Sequence, residues 1–248
     1  MIGEMHIGGR KCRLFGSEQP ACILVQPSAR HENATLEAEA AQIAAQAPVP
    51  FVLSTVELED WIVDLMPWPD GNISRDPEAG KHAQETLQYI LMELVPELQQ
   101  RFGPLPVILG GYSLGGLFAL WASAQTDTFK AVAAASPSVW IRDWLPFAKK
   151  HAPLAGYVYL SLGDREEHVR NQAIARVGDR IRELHALLQA RSGPDYSTLF
   201  WEEGNHFTDN EGRLARAFLR CMERIILPLP AQNPRDRRPC SSSPASRP

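Results

Sequence analysis

The sequence predicts an α/β fold: a mostly parallel sheet with helices on both faces. Two observations predict it. Short apolar runs alternate with longer amphipathic runs along most of the chain, which is the pattern of strands joined by crossover helices. The chain's 248 residues, 44% hydrophobic and 22% charged, are enough to bury one substantial core at ordinary globular composition.

The elements follow in order. "CILVQ" (22–26) and "FVLSTVE" (51–57) read as strands, and the alanine- and glutamate-rich "ATLEAEAAQIAAQA" (34–47) between them as a helix. In 80–103, Leu87, Ile90, Leu91, Leu94 and Leu98 recur at helical spacing. Pro96 kinks that helix or starts its last turn, and Gly103 stops it. "LPVILGG" (105–111) is a strand, "LGGLFALWASAQ" (114–125) a helix, and "KAVAAASP" (130–137) and "YVYLSLG" (157–163) two further strands. Residues 169–191 form a helix with Ile174, Val177, Ile181, Leu184 and Leu188 on one stripe. "STLFWEEG" (197–204) is the last strand, and 211–226 the last helix, burying Leu214, Phe218, Cys221 and Ile225. Two long segments, 65–79 and 139–156, read as functional loops. Residues 1–227 are expected to form one domain, and the Pro-, Ser- and Arg-rich 228–248 a disordered tail.

Composition excludes several classes. A net charge of −4 gives no nucleic-acid footprint. No apolar run reaches the length of a membrane helix, and the N-terminus lacks a signal peptide's apolar region, so the cytoplasm is expected. Cys12, Cys22, Cys221 and Cys240 form no CxxC pair. The histidines lack HxH or HExxH spacing, and "WPDGN" (68–72) lacks the acidic repeats of a calcium loop, so no metal or other cofactor is expected. Oligomeric state has no signature in the sequence.

Gly111-Tyr112-Ser113-Leu114-Gly115 matches G-x-S-x-G between a strand and a helix, the context in which that motif is a nucleophile elbow. The sharp turn exposes the serine hydroxyl, and side chains at 111 or 115 are expected to clash. The turn also aims the Leu114 N–H and the helix N-terminus at a developing oxyanion. A helix-capping serine in a glycine-rich turn is the bland reading of the same residues. A nucleophilic serine needs a base and an orienting carboxylate, following it in the order acid, then histidine. His206 lies between the last strand and the last helix, where the base belongs. His151, His168 and His185 read as structural or exposed. The loop after "YVYLSLG" supplies Asp164, Glu166 and Glu167, among which periodicity does not choose.

"GGYSLGGLFALWA", "AAASPSVW", "LSLGDREE" with "RNQ", and "EGNHF" together resemble the putative-esterase branch of the α/β-hydrolases, over roughly residues 20–226. This branch includes esterase D-like, feruloyl-esterase-like and ferric-siderophore-esterase-like proteins. The resemblance implies an α/β-hydrolase fold without a large cap domain. It also implies a serine esterase acting on a small-molecule ester, with Ser113 as nucleophile and His206 as base. In the family the acid stands three residues after the glycine ending its strand, which is Glu166 here, with Asp164 the alternative. Trp140, in "SPSVW", matches an aromatic bordering the cleft; Tyr112 and Trp68 are further candidates for contact with substrate. The family's oxyanion loop is replaced by "LVQPSARHEN", which leaves a backbone N–H near Ser28 or Ala29 as second donor. Acyl transfer by the same residues, and a non-catalytic binding protein on this fold, are the competing functions.

Overall fold

The computed structural model describes residues 1–29 and 33–226; the tail expected at 228–248 lies outside the described residues. Eight strands form one sheet. They are β1 (Gly3–Ile7), β2 (Arg10–Gly16), β3 (Cys22–Ala29), β4 (Phe51–Leu58), β5 (Val107–Tyr112), β6 (Phe129–Ala135), β7 (Tyr157–Gly163) and β8 (Ser197–Glu202). Their order across the sheet is β1-β2-β4-β3-β5-β6-β7-β8. The β1–β2 and β2–β4 pairs are antiparallel and all others parallel.

The β1–β2 hairpin does not appear among the strands expected from the sequence. Its charged residues interrupt every apolar run, and β2 buries Cys12 and Leu14 on one face and Phe15 on the other. Its signal was the Gly8-Gly9 pair, whose φ of 54° and 79° supply the left-handed turn a two-residue hairpin needs. From β3 onward the expected alternation holds. β3 is buried along its whole length, as a central strand covered on both faces must be.

Helices α1 (Asn33–Gln46) and α9 (Asn210–Ile226) cover one face. Leu36 and Ile43 pack there with Leu214, Phe218 and Met222 over Leu24, Leu53 and Ile108. The other face carries α2 (Trp61–Leu65), α3 (Ala83–Tyr89), α4 (Val95–Phe102), α5 (Leu114–Ser123), α6 (Trp144–Lys150) and α8 (Val177–Ser192). The helix expected over 80–103 is interrupted by a π-helical turn at Ile90–Leu94, directly ahead of Pro96. Widening the helix there absorbs a residue that has no N–H to donate. The helix expected over 169–191 splits into α7 (Gln172–Ala175) and α8 at Arg176. The 139–156 loop contains α6, whose Pro146 sits in its first turn, where a missing N–H costs nothing.

Strand order positions the site. The chain leaves β3 toward β4 on one side and returns through β5 on the other. The carboxyl ends of β3 and β5 therefore flank a topological switch point, where α/β sheets open a crevice. Pairing between β3 and β5 stops at Val25–Leu109. Pro27, without an N–H, lies just beyond on the stretch of β3 that still pairs with β4.

Phe218 of α9 is fully buried, and its ring occupies the space a Cβ on Gly110 of β5 would need. Phe218→Ala is expected to cost about 3–5 kcal/mol, read as a fall in the urea midpoint. An unchanged midpoint would show that α9 does not depend on this contact.

Candidate active site

β5 ends at Tyr112 and α5 begins at Leu114, so one residue, Ser113, makes the whole reversal. It does so at φ 56°, ψ −115°, a conformation that is costly for any side chain with a Cβ. The strain is held by flanking hydrogen bonds. Ser113 N–H donates to Ala135 O at 3.0 Å, and Ser113 O accepts from Ser138 N–H at 3.1 Å and Leu117 N–H at 3.1 Å. A Cβ on Gly111 would fall on the Gly115 backbone. At Gly115 it would meet only the Trp61 ring at 3.2 Å, so that glycine is less constrained than expected. Gly116 is the tighter position: a Cβ there would lie 2.9 Å from Gly111 O. The N–H groups of Leu114, Gly115 and Gly116 occupy the first turn of α5, ahead of the first intrahelical donor, Leu117 N–H.

His206 Nε2 lies 3.0 Å from Ser113 Oγ, and His206 Nδ1 lies 2.7 Å from Glu166 Oε2. The histidine stands in the loop between β8 and α9, folded around Asn205. The Asn205 Oδ1 accepts from Phe207 N–H at 2.9 Å, and its own N–H donates to Thr208 Oγ1 at 3.1 Å. Tyr112 Oη donates to His206 O at 2.9 Å, tying the histidine to the strand that carries the serine. Burial pushes the Tyr112 phenol up to about 12, so it remains a donor.

Glu166 opens a single 3₁₀ turn after β7 and is 4% exposed. Its second oxygen, Oε1, accepts from Ser136 Oγ at 2.7 Å, Gly163 N–H at 2.8 Å and Arg213 Nη1 at 2.9 Å. Burial alone would raise its carboxyl, but the hydrogen bond and charge of His206, with those from Ser136 and Gly163, hold it below its ordinary value. Asp164 stands elsewhere. Its side chain is directed to Gly204 N–H at 2.8 Å, bracing the histidine loop.

Arg213 is one residue that sequence reasoning missed. It is fully buried and donates from Nη1 also to Tyr112 Oη and Ser136 Oγ, both at 3.2 Å, and from Nη2 to Glu203 O at 2.9 Å. Its signal was positional. Arg213, Ala217 and Cys221 lie four apart on α9 and are all buried, so the stripe marked by Cys221 extends back to an arginine. Ser138, with Oγ 3.3 Å from Ser113 Oγ, and the exposed Phe207, edge-on to the His206 ring, were also missed.

The remaining candidates divide. Ser28 is fully buried near the end of β3, and its hydroxyl has no partner among the described residues. Trp68 packs on Trp144 and Phe147, with its indole N–H on Arg142 O at 2.8 Å. Trp140 lines a cavity between the 139–146 segment and α7–α8. The two long loops are joined by Asp70, which accepts from Arg142 N–H at 2.6 Å and from Asn72 N–H at 2.9 Å. His168 is exposed, His151 stacks on Phe147, and His185 contacts Ser197 O. Among the described residues no cluster of His, Cys, Asp or Glu could hold a metal ion, and no helix is long and apolar enough to cross a membrane.

No curated protein sequence gives a significant match to the chain. Solved structures do. Siderophore hydrolase EstA from Aspergillus nidulans matches with a TM-score of 0.67 at 21% identity, over 87% of this chain and 90% of its own. Siderophore hydrolase EstB from the same organism matches with a TM-score of 0.68 at 18% identity, over 92% and 96%. The enterobactin esterase FES from Shigella flexneri matches with a TM-score of 0.61 at 18% identity, over 87% of this chain and 56% of its own. At these identities the likeness is one of fold. A family model described as "Putative esterase" matches residues 31–220. The chain therefore belongs to the putative esterase family: it is a carboxylic ester hydrolase on an α/β-hydrolase fold.

Proposed function

We propose that the chain hydrolyses small-molecule carboxylic esters through an acyl-enzyme on Ser113, with His206 as general base and Glu166 as the acid that orients it. The observation that carries this is the unbroken line from Glu166 Oε2 through both nitrogens of His206 to Ser113 Oγ, at 2.7 and 3.0 Å, ending on a residue at φ 56°. Donating Nδ1–H to Glu166 leaves the Nε2 lone pair facing the serine hydroxyl. His206 takes that proton as Ser113 attacks the ester carbonyl, and Glu166 stabilises the imidazolium. His206 then protonates the leaving alcohol, and water releases the acid by the same steps in reverse.

The Leu114 N–H at the start of α5 is the first oxyanion donor. The second is assigned to the backbone near Ser28, across the switch point, because β3 lies beside β5 and its pairing to β5 ends before that residue. Tyr112 acts through His206, whose carbonyl it holds, and Trp140 as a wall of the neighbouring cavity. Cytoplasmic residence is supported by Cys12, Cys22 and Cys221, all buried free thiols. Because two fold neighbours are named as siderophore hydrolases, siderophore esters join short-chain nitrophenyl esters in the first substrate panel.

Three outcomes are expected. Ser113→Ala should lower kcat on nitrophenyl esters by roughly 10⁴-fold or more and abolish labelling by a fluorophosphonate; unchanged turnover in the pure variant sinks the proposal. Glu166→Gln should cost about 10³–10⁴-fold in kcat, whereas Asp164→Asn should keep activity within about tenfold, since its partner is a loop N–H. The reverse ranking would make Asp164 the acid. The third outcome concerns pH. A carboxyl held below its ordinary value in the folded state binds its proton more readily when unfolded, so its stabilisation is present above the ordinary glutamate range and lost as pH falls. Glu166→Gln should destabilise by about 3 kcal/mol at neutral pH, leaving Arg213 buried without its carboxylate. That gap should narrow as pH falls below the ordinary glutamate range, read from urea midpoints of both proteins. A gap independent of pH would mean that the Glu166 charge is not what the fold uses.

A further inference from the structure

A cavity of about 560 Å³ between the segment 140–149 and α7–α8 is not used by the proposed chemistry; its size is typical of small-molecule sites. Trp140 connects it along the chain to the serine. Ser138, whose hydroxyl is 3.3 Å from Ser113 Oγ, is two residues from Trp140 on the cavity wall. Two Cα–Cα steps span at most about 7.6 Å. Its lining combines apolar side chains, Trp140, Leu145 and Pro146, with several cations.

The cations are not balanced. Arg142, Lys149, Arg176 and Arg180 line the cavity, with Asp143 and Glu183 as its carboxylates. Asp143 is paired with Arg142 and Glu183 with Arg180. Lys149 and Arg176, facing from α6 and from the α7–α8 junction, have no carboxylate partner among the described residues. Unpaired cations beside apolar side chains suit an organic anion with an apolar body.

We propose that this cavity holds the acidic group of the ester substrate, so that the enzyme prefers esters carrying a carboxylate remote from the scissile bond. The proposal rests on the esterase reading of Ser113. It assigns Lys149 and Arg176 to substrate recognition.

The test compares each acid-bearing ester with its methyl-capped, neutral twin. 4-Nitrophenyl hemiesters of dicarboxylic acids of increasing length place the carboxylate on the acyl side. Acetyl esters of ω-hydroxy acids place it on the alcohol side. In one series the ratio of kcat/KM, acid over capped, should exceed one at an optimal chain length and fall as salt is raised. Lys149→Met with Arg176→Met should lower that ratio by about tenfold or more. Because the readout is a ratio, a loss of folded enzyme does not imitate it.

Absence of acid preference in both series, or a ratio the double variant leaves unchanged, overturns the cavity assignment while Ser113-dependent cleavage of the capped esters stands. Cleavage of capped esters that survives Ser113→Ala overturns the reading of the site instead. Binding of the free dicarboxylate, followed by calorimetry, gives a readout without turnover: weaker binding to the double variant supports the cavity, and equal binding to both proteins rejects it.

Discussion

The site depends on one buried carboxylate and what surrounds it. Glu166 lies almost wholly out of water between two cationic or potentially cationic partners, His206 on one oxygen and Arg213 on the other. A lone charge there would be driven to neutralise. Four donors on the two oxygens make the ionised form the stable one. The same contacts fix geometry: Ser136 comes from the turn after β6, Gly163 from the end of β7, and Arg213 from α9. A single side chain therefore ties three separate elements to the histidine loop. Removing it would loosen that junction and strand a buried guanidinium, so the residue proposed to orient the histidine is also one the fold depends on.

Arg213 extends the junction in the other direction. Its guanidinium reaches Tyr112, which in turn holds the backbone of His206. The histidine is thus fixed at both its ring and its carbonyl. Gly163 has no room for a side chain because the Arg213 guanidinium and the Gly204 carbonyl occupy that space. The glycine ending β7 is accordingly a packing requirement of the acid's pocket as well as a strand terminus. That ties the three-residue spacing from Gly163 to Glu166 to a physical cause: the Gly163 N–H is one of the carboxylate's own donors.

Most of the sheet from β3 onward was legible because buried parallel strands and amphipathic helices write their periods plainly into the sequence. The serine elbow, the histidine loop and the acidic loop were legible through spacing between elements. Other features lay outside what such patterns carry. The β1–β2 hairpin alternates over only about four residues per strand, with no continuous apolar run, and α6 hides behind Pro146 and a tryptophan-rich context. Periodicity did not separate Asp164 from Glu166, since both lie in one charged loop; only their three-dimensional partners differ. Arg213 was hidden because hydropathy scores an arginine as exposed, and only its pairing makes its burial tolerable.

The strain at Ser113 is shared with its neighbour. Ser136, just past the end of the adjacent strand β6, also has a positive φ of 44°. The two kinks brace each other. Ser113 N–H bonds the carbonyl of Ala135, and Ser138 N–H bonds the carbonyl of Ser113. Neither turn can relax to an ordinary conformation without breaking hydrogen bonds of the other. Their side chains then serve opposite ends of one line, Ser113 facing His206 and Ser136 facing Glu166. The chain that continues from Ser136 runs directly into Ser138 and the Trp140 wall of the cavity. Rigidity generated by two adjacent strand ends is therefore passed both to the hydrogen-bonded line from Ser113 to Glu166 and to the Trp140 wall of the cavity, so that the proposed nucleophile and the proposed substrate pocket share one frame.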